Sequence, residues 1–161
     1  MNSYVILGII AGLPFVLAIL MRVNSIYLYM SVAAGLILAQ YVSYDTMLAL
    51  NAFFAHKDFG NYVNLGLLLT PIVLSLFFLR KSMSRSKTIF HLLPLAATCA
   101  ALGTLIMGYL PGGIQHQLLT NQIGKTADNS QNALIAAATI LTLLLAWLTL
   151  SPHDDKKKRR R

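Results

Sequence analysis

The stretch Ile89–Leu110, IFHLLPLAATCAALGTLIMGYL, decides the fold class, because it contains no Asp, Glu, Lys or Arg. A helix that crosses a bilayer needs about 20 mostly apolar residues, and this stretch meets that length. In hydrocarbon the backbone amide and carbonyl groups must bond to one another, and a continuous run of this kind does so as a helix. The stretch therefore predicts a membrane-spanning helix.

Four more windows share this property and extend the prediction to five spans. They are Tyr4–Met21, Ile26–Val42, Tyr62–Leu79 and Ala133–Leu150. None has the alternation of apolar and polar residues that is typical of membrane β-barrels. We therefore predict an all-α integral membrane protein, a bundle of five transmembrane helices that forms one domain over residues 1–150. Residues 151–161 are predicted to be a polybasic cytoplasmic tail.

The composition of the whole chain indicates that lipid is its main solvent. Of the 161 residues, 57% are hydrophobic and 11% are charged, whereas soluble domains carry about 25% charged residues. The mean hydropathy is +0.65. A soluble core of this size cannot hide so much apolar surface, and the same values exclude an intrinsically disordered chain. The single cysteine, Cys99, excludes a disulfide-stapled fold.

The basic residues lie mostly on one side of the predicted membrane. With five spans, that side holds Arg22, the four basic residues of 80–87 and the six of 156–161, which is eleven of the thirteen. The other side holds Lys57 and Lys125. Because cytoplasmic loops are enriched in Lys and Arg, we predict an outside amino terminus and a cytoplasmic carboxyl terminus. We expect the plasma (inner) membrane to be the location.

The connections between the spans predict some further structure. Because only a few residues around Arg22 join the first two spans, we expect these spans to form an antiparallel hairpin. Residues 43–60 are predicted to form an interfacial helix or an extension of the second span. In residues 111–132, apolar residues four apart permit a short helix, and we interpret Lys125–Gln131 as a polar loop.

Small residues recur at four-residue spacing on three of the predicted spans. Such faces let helix backbones approach closely, which matters because lipid provides no hydrophobic drive for helix association. Two uses remain open, namely packing within this bundle and contact of at least one face with a partner subunit. The predicted packing residues are Gly8, Gly12, Ser31, Gly35, Ala39, Ala96, Ala100 and Gly103.

The sequence contains no motif for catalysis or cofactor binding. G-x-S-x-G, H-E-x-x-H, the P-loop and C-x-x-C are all missing, so we predict neither an enzyme nor a cofactor. The spans lack Asp, Glu, Lys and Arg, which argues against an ion-coupled pump. His56 and Asp58 carry metal-binding groups, but residues two apart on a helix do not face one ion. We interpret them, with Asp45 and His116, as solvated residues and predict no metal site.

The histidine inside the fourth span has two interpretations. His91 lies one turn into the span, where Pro94 deprives the carbonyl of Phe90 of its usual helical donor. This local polarity would suit a contact with a substrate or a proton. The alternative is a histidine at the membrane interface, beside the lipid headgroups.

Two basic clusters are predicted to contact anionic lipid as well as to set the topology. Each basic residue near an anionic leaflet contributes about 1 kcal/mol of attraction. The same tail could contact nucleic-acid phosphates, but no aromatic residue is interleaved with it for stacking on bases, so we do not predict a nucleic-acid partner. The predicted lipid-contact residues are Arg80, Lys81, Arg85, Lys87, Lys156, Lys157, Lys158, Arg159, Arg160 and Arg161.

These features lead to a hypothesis about the class of function. We expect a non-enzymatic, small multi-pass protein that is a structural or accessory component of a membrane complex, with another membrane protein or a second copy as its partner. The alternative is an oligomeric channel or transporter subunit for a small uncharged or weakly polar solute. Five helices of this length enclose little room, so a pathway within one copy would be narrow.

Overall fold

The protein is helical throughout the part of the chain that its computed structural model describes. That part comprises residues 3–53, 60–80, 82, 88–120 and 122–150, and it contains eight helices and no strand. The helices are α1 (Ser3–Met21), α2 (Ser25–Tyr41), α3 (Ser43–Phe53), α4 (Gly60–Phe78), α5 (Thr88–Gly108), α6 (Gly112–Leu119), α7 (Gln122–Asn129) and α8 (Gln131–Leu150). For these residues the prediction of an all-α protein is confirmed.

Several of the helices have the length and composition of membrane spans. Three qualify individually, with their apolar windows at Gly60–Phe78, Phe90–Gly108 and Gln131–Thr149. The pair α2 and α3 qualifies as a fourth if it counts as one span, although the two helices meet at a bend of 58°. The apolar part of α1, Gly8–Met21, is shorter. The chain therefore has the helices of a membrane protein, with three or four candidate spans.

Helix α5 lies at the centre of the bundle. It packs against α1, α2 and α8, and α2 in turn packs against α4 and α8. In the apolar window of α5, 67% of the residues are buried, compared with 28% in α4 and 17% in α8. The outer faces of α4 and α8 expose bulky side chains such as Phe77, Phe78, Leu143 and Trp147. Such exposed apolar surface belongs against lipid.

The turn between α1 and α2 reverses the chain without a glycine. The amide of Val23 donates to the carbonyl of Ala18 at 3.0 Å. Arg22 has a positive φ of 56°, the left-handed conformation that terminates helices with this bond. The side-chain oxygen of Asn24 then accepts from the amide of Ile26 at 3.0 Å and caps α2. The chain reverses here as expected, but α1 packs mainly against α5 and not against α2, so the predicted hairpin is not a packed pair.

Hydrogen bonds between chain connections mark the two ends of the bundle. The hydroxyl of Ser82 accepts from the amide of Asn24 at 3.0 Å, which joins the α4–α5 connection to the α1–α2 turn. We call this end, with Arg22 and the exposed Arg80, the basic end. At the other end, which we call the α6 end, the side-chain amide of Asn61 donates to the backbone carbonyl of Leu110 at 3.5 Å.

The α6 end contains more helix than the sequence predicted. Helix α3 follows α2 across a 58° bend, so part of the segment 43–60 is helical. The choice between an interfacial helix and an extension of the second span stays a prediction. The interpretation of Lys125–Gln131 as a loop is wrong, because α7 covers residues up to Asn129. Thr126 donates to the carbonyl of Gln122 at 2.9 Å within α7, and α7 packs against α5 and α6. These tertiary contacts outweigh the polar composition of the segment.

Candidate functional site

A buried hydrogen bond between two helices marks the basic end of the bundle. The Ser25 hydroxyl oxygen lies 3.0 Å from Nδ1 of His91, although the two residues are 66 positions apart in the chain. Ser25 is completely buried and His91 is only 4% exposed. The pair ties the first residue of α2 to the first turn of α5. His91 therefore faces the protein interior, so its interpretation as a histidine beside the headgroups is wrong.

The local sequence explains why these two side chains meet. Asn24 caps α2 and fixes the point at which the helix begins, which places Ser25 in its first turn. Ser82 holds the turn through the backbone of Asn24, so the chain before α5 is tethered beside Ser25. His91 lies in the first turn of α5, which begins at Thr88. Together, Asn24, Ser25, Ser82 and His91 form a polar group that we call the basic-end cluster.

The chemistry available to this cluster is that of a buried hydrogen bond. A serine hydroxyl beside an imidazole is also the beginning of a nucleophile and base pair, but such a pair needs a third group that orients the base and space for a substrate. Ser25 is completely buried, so no substrate atom can reach its hydroxyl in this conformation. In the described ranges, His, Cys, Asp and Glu nowhere form a group of three that could hold a metal ion. The cluster is therefore suited to joining helices.

A second polar bridge joins α2 to α8. The Tyr29 hydroxyl lies 2.6 Å from the Thr139 hydroxyl, which itself donates to the carbonyl of Ile135 at 2.7 Å. Because the Thr139 proton is used in that bond, Tyr29 is the donor in the bridge. Beside Tyr29, a cavity of about 40 Å³ lies between α2, α5 and α8, with a mainly aliphatic lining. A site of this volume holds a molecule no larger than about one or two waters.

The predicted packing residues fall into two groups. A Cβ on Gly35 would overlap the carbonyl oxygen of Leu68, so α2 and α4 touch backbone to backbone there. A Cβ on Gly103 would lie 3.3 Å from the Cβ of Ala11, which brings α5 close to α1. The other group consists of Gly8 and Gly12, at which an added Cβ meets no described atom within 4 Å.

The other small residues also differ in their surroundings. Ala39 is buried, whereas Ala96 is exposed and Ala100 is half-buried. Ser31 is half-buried and donates to the carbonyl of Tyr27 at 2.8 Å within α2. Four-residue spacing therefore brings together some of the predicted residues but not all of them.

The predicted lipid-contact residues lie mostly beyond the described part of the chain. Arg80 is exposed at the basic end, and its contact with headgroups stays a prediction. The remaining members, Lys81, Arg85, Lys87, Lys156, Lys157, Lys158, Arg159, Arg160 and Arg161, are outside the described residues, as are His56 and Asp58. Asp45 and His116 are exposed, which agrees with their interpretation as solvated residues.

Sequence reasoning missed Ser25, Ser82, Tyr29 and Thr139 as polar partners. Each is a hydroxyl-bearing residue in or beside a span, a position in which membrane helices commonly satisfy it through a local carbonyl or a neighbouring helix. That signal identifies candidates but cannot pair them. Comparisons with protein-family models, curated proteins and solved structures gave no match.

Proposed function

We propose that this protein is a non-enzymatic structural or accessory component of a membrane complex. The observation that supports the proposal is the open glycine face of α1, which we define as Gly8 and Gly12. In the described part of the chain nothing approaches these two positions, whereas Gly35 and Gly103 are in tight contact with neighbouring helices. The backbone of α1 therefore has no close described neighbour at these two positions.

Such a face suits another helix better than it suits lipid. Lipid tails pack equally well against bulky side chains, and the outer face of α8 offers Leu143, Leu144 and Trp147 to them. A pair of glycines four residues apart allows close backbone approach by a second helix, and van der Waals contact then drives the association. We therefore propose that α1 is the helix by which the protein joins a partner.

The proposed topology has five spans, namely α1, α2, α4, α5 and α8, with the amino terminus outside. Its support is the distribution of basic residues between the two ends of the bundle, since Arg22 and Arg80 both lie at the basic end. Lys125, on α7, belongs to the α6 end. In this arrangement the basic end faces the cytoplasm, and the plasma (inner) membrane is the proposed location.

Thiol labelling tests this topology directly. In a Cys99→Ala background, we expect an impermeant maleimide to label Lys125→Cys in intact cells and to leave Ser82→Cys unlabelled until the cells are opened. Both positions are exposed in the structure, so access to the reagent depends on the side of the membrane. Labelling of Ser82→Cys alone in intact cells would invert the proposed orientation.

The accessory function is tested by the mass of the native complex. We expect the full chain, extracted in mild detergent, to carry a different membrane protein, and Gly8→Leu with Gly12→Leu to lose it, because two large side chains separate the backbones. The matched control is Ile9→Phe with Leu13→Phe, which adds bulk at the same spacing on an adjacent exposed side of α1, about 100° around the helix. If both double variants keep the partner, the glycine face is not the contact.

The alternative is an oligomeric channel or transporter subunit for a small uncharged or weakly polar solute. Within one copy, a cavity of about 40 Å³ lined in part by Tyr29 lies between α2, α5 and α8. A cavity of this volume holds nothing larger than about one or two waters, so the pathway for a larger solute would have to lie between copies. A complex that contains only this chain would favour the alternative over the accessory function.

A further inference from the structure

A surface groove at the α6 end is a second space between the described helices, larger than the cavity beside Tyr29. It has a volume of about 410 Å³ and opens to the outside of the bundle. Small-molecule sites in proteins commonly have volumes of about 300–1,000 Å³. Three elements supply its walls, and the lining residues are Met47, Gly60, Asn61, Tyr62, Pro111 and Gly112.

The lining of the groove is amphipathic. Met47, the ring of Tyr62 and Pro111 supply apolar surface. The polar part is the side-chain amide of Asn61, whose nitrogen lies 3.5 Å from the carbonyl oxygen of Leu110. An amide nitrogen carries two N–H groups, so the second can donate to an occupant of the groove. Polar and apolar surfaces therefore meet within one site, and none of the lining residues that the structure describes carries a negative charge.

Two glycines keep the groove open. A Cβ on Gly112 meets no described atom within 4 Å, so the space above its backbone is empty. A Cβ on Gly60 would meet only the flexible end of Met47, with its methyl carbon at 3.4 Å. A side chain at either position would enter the groove without a backbone clash. The volume thus depends on the absence of these side chains.

The position of the groove along the bundle restricts what can occupy it. It is lined by the first three residues of the candidate span Gly60–Phe78 and by Pro111 and Gly112, which follow the candidate span Phe90–Gly108, so in the proposed topology it lies at the membrane boundary. Tyr62, which is 63% exposed, has the aromatic and hydroxyl character that is typical of this boundary. An occupant at this depth must have a polar part and an apolar part.

We propose that the groove binds the phosphoglycerol region of a phospholipid in the leaflet at the α6 end. The phosphate oxygens accept from the Asn61 amide, and the first part of the acyl chains lies against Met47 and Tyr62. This proposal requires only that the protein is embedded in a membrane. It concerns the end opposite to the predicted basic lipid contacts and does not depend on the accessory function.

Photolabelling in proteoliposomes tests the proposal with the full chain. The probe is a phosphatidylglycerol analogue with a diazirine near the glycerol end of one acyl chain, in vesicles of phosphatidylethanolamine. We expect labelled peptides from α3, α4 and the start of α6. Gly112→Leu should lose this labelling because its side chain fills the groove, whereas Gly113→Leu, an exposed neighbour outside the lining, should keep it.

A second variant tests the chemistry of the occupant without filling space. Asn61→Asp replaces the amide donor by a carboxylate, which repels a phosphate, so labelling by the phosphatidylglycerol probe should fall well below that of the unaltered chain. A diacylglycerol probe with the same chains and no phosphate should label the groove weakly and be insensitive to Asn61→Asp. Equal labelling of Gly112→Leu and the unaltered chain would overturn the site. Equal labelling by both probes would overturn the phosphoglycerol assignment.

Discussion

Two glycine-containing faces of this protein have the same sequence pattern and opposite surroundings. On α2, Gly35 lies against the carbonyl of Leu68, so the backbones of α2 and α4 are in direct contact. On α1, Gly8 and Gly12 have no described neighbour within 4 Å of an added Cβ. The comparison teaches that small residues at four-residue spacing permit a close contact but do not specify where it forms. Within one chain, such a pattern can serve the internal packing or remain open to a partner.

The largest expected effect on stability comes from adding a side chain at the tight contact between α2 and α4. Gly35→Ala should lower the free energy of unfolding by about 1–3 kcal/mol, because the new methyl group overlaps the carbonyl oxygen of Leu68 and forces α2 from α4. Thermal unfolding in one detergent measures this. The control is Gly66→Ala on α4, where no described atom lies within 4 Å. If Gly35→Ala and Gly66→Ala unfold at the same temperature, the backbone contact is absent.

The basic-end cluster is a polar counterpart of the tight contact, and its loss should have the next largest effect. Ser25→Ala removes one partner of a buried bond between α2 and α5 and should cost about 1–3 kcal/mol, because part of the polarity of His91 loses its match. Ser31→Ala, on the same helix, removes only a local bond to Tyr27 and should change the stability by about 0.5 kcal/mol or less.

A double-mutant cycle separates the bond from other effects of these substitutions. The cycle combines Ser25→Ala with His91→Phe and measures the unfolding free energy of all four proteins. If the two losses add without a coupling term, the hydrogen bond does not join the helices.

The smallest expected effect on stability is at the open face. Gly8→Ala with Gly12→Ala should leave the unfolding temperature of the isolated chain unchanged or slightly raised, since the methyl groups meet empty space and alanine favours the helix. The same variant should weaken the native complex relative to the unaltered chain. A marked loss of stability in the isolated chain would mean that α1 packs within the bundle along this face.

The helices themselves were largely predictable from the sequence. Windows free of charged residues correspond to α1, α2, α4, α5 and α8, because a run of apolar residues in lipid has only the helix to satisfy its backbone. The polar segment at Lys125–Gln131 was misjudged as a loop. Its helix depends on packing against α5, which is distant along the chain, and against α6, to which a short connection joins it. Local composition carries no information about such a contact.

Sequence alone determined the membrane class, the apolar helices and the asymmetric distribution of basic residues, because each follows from the composition of a continuous segment. Only the tertiary structure decided that Ser25 meets His91, that α1 packs on α5 and that Gly35 is closed while Gly8 is open. These facts depend on the rotation of each helix about its axis and on the choice of its neighbours. In lipid, apolar side chains have no strong preference for protein over solvent, so hydrophobicity cannot fix either, and shape and hydrogen bonding between helices must do so.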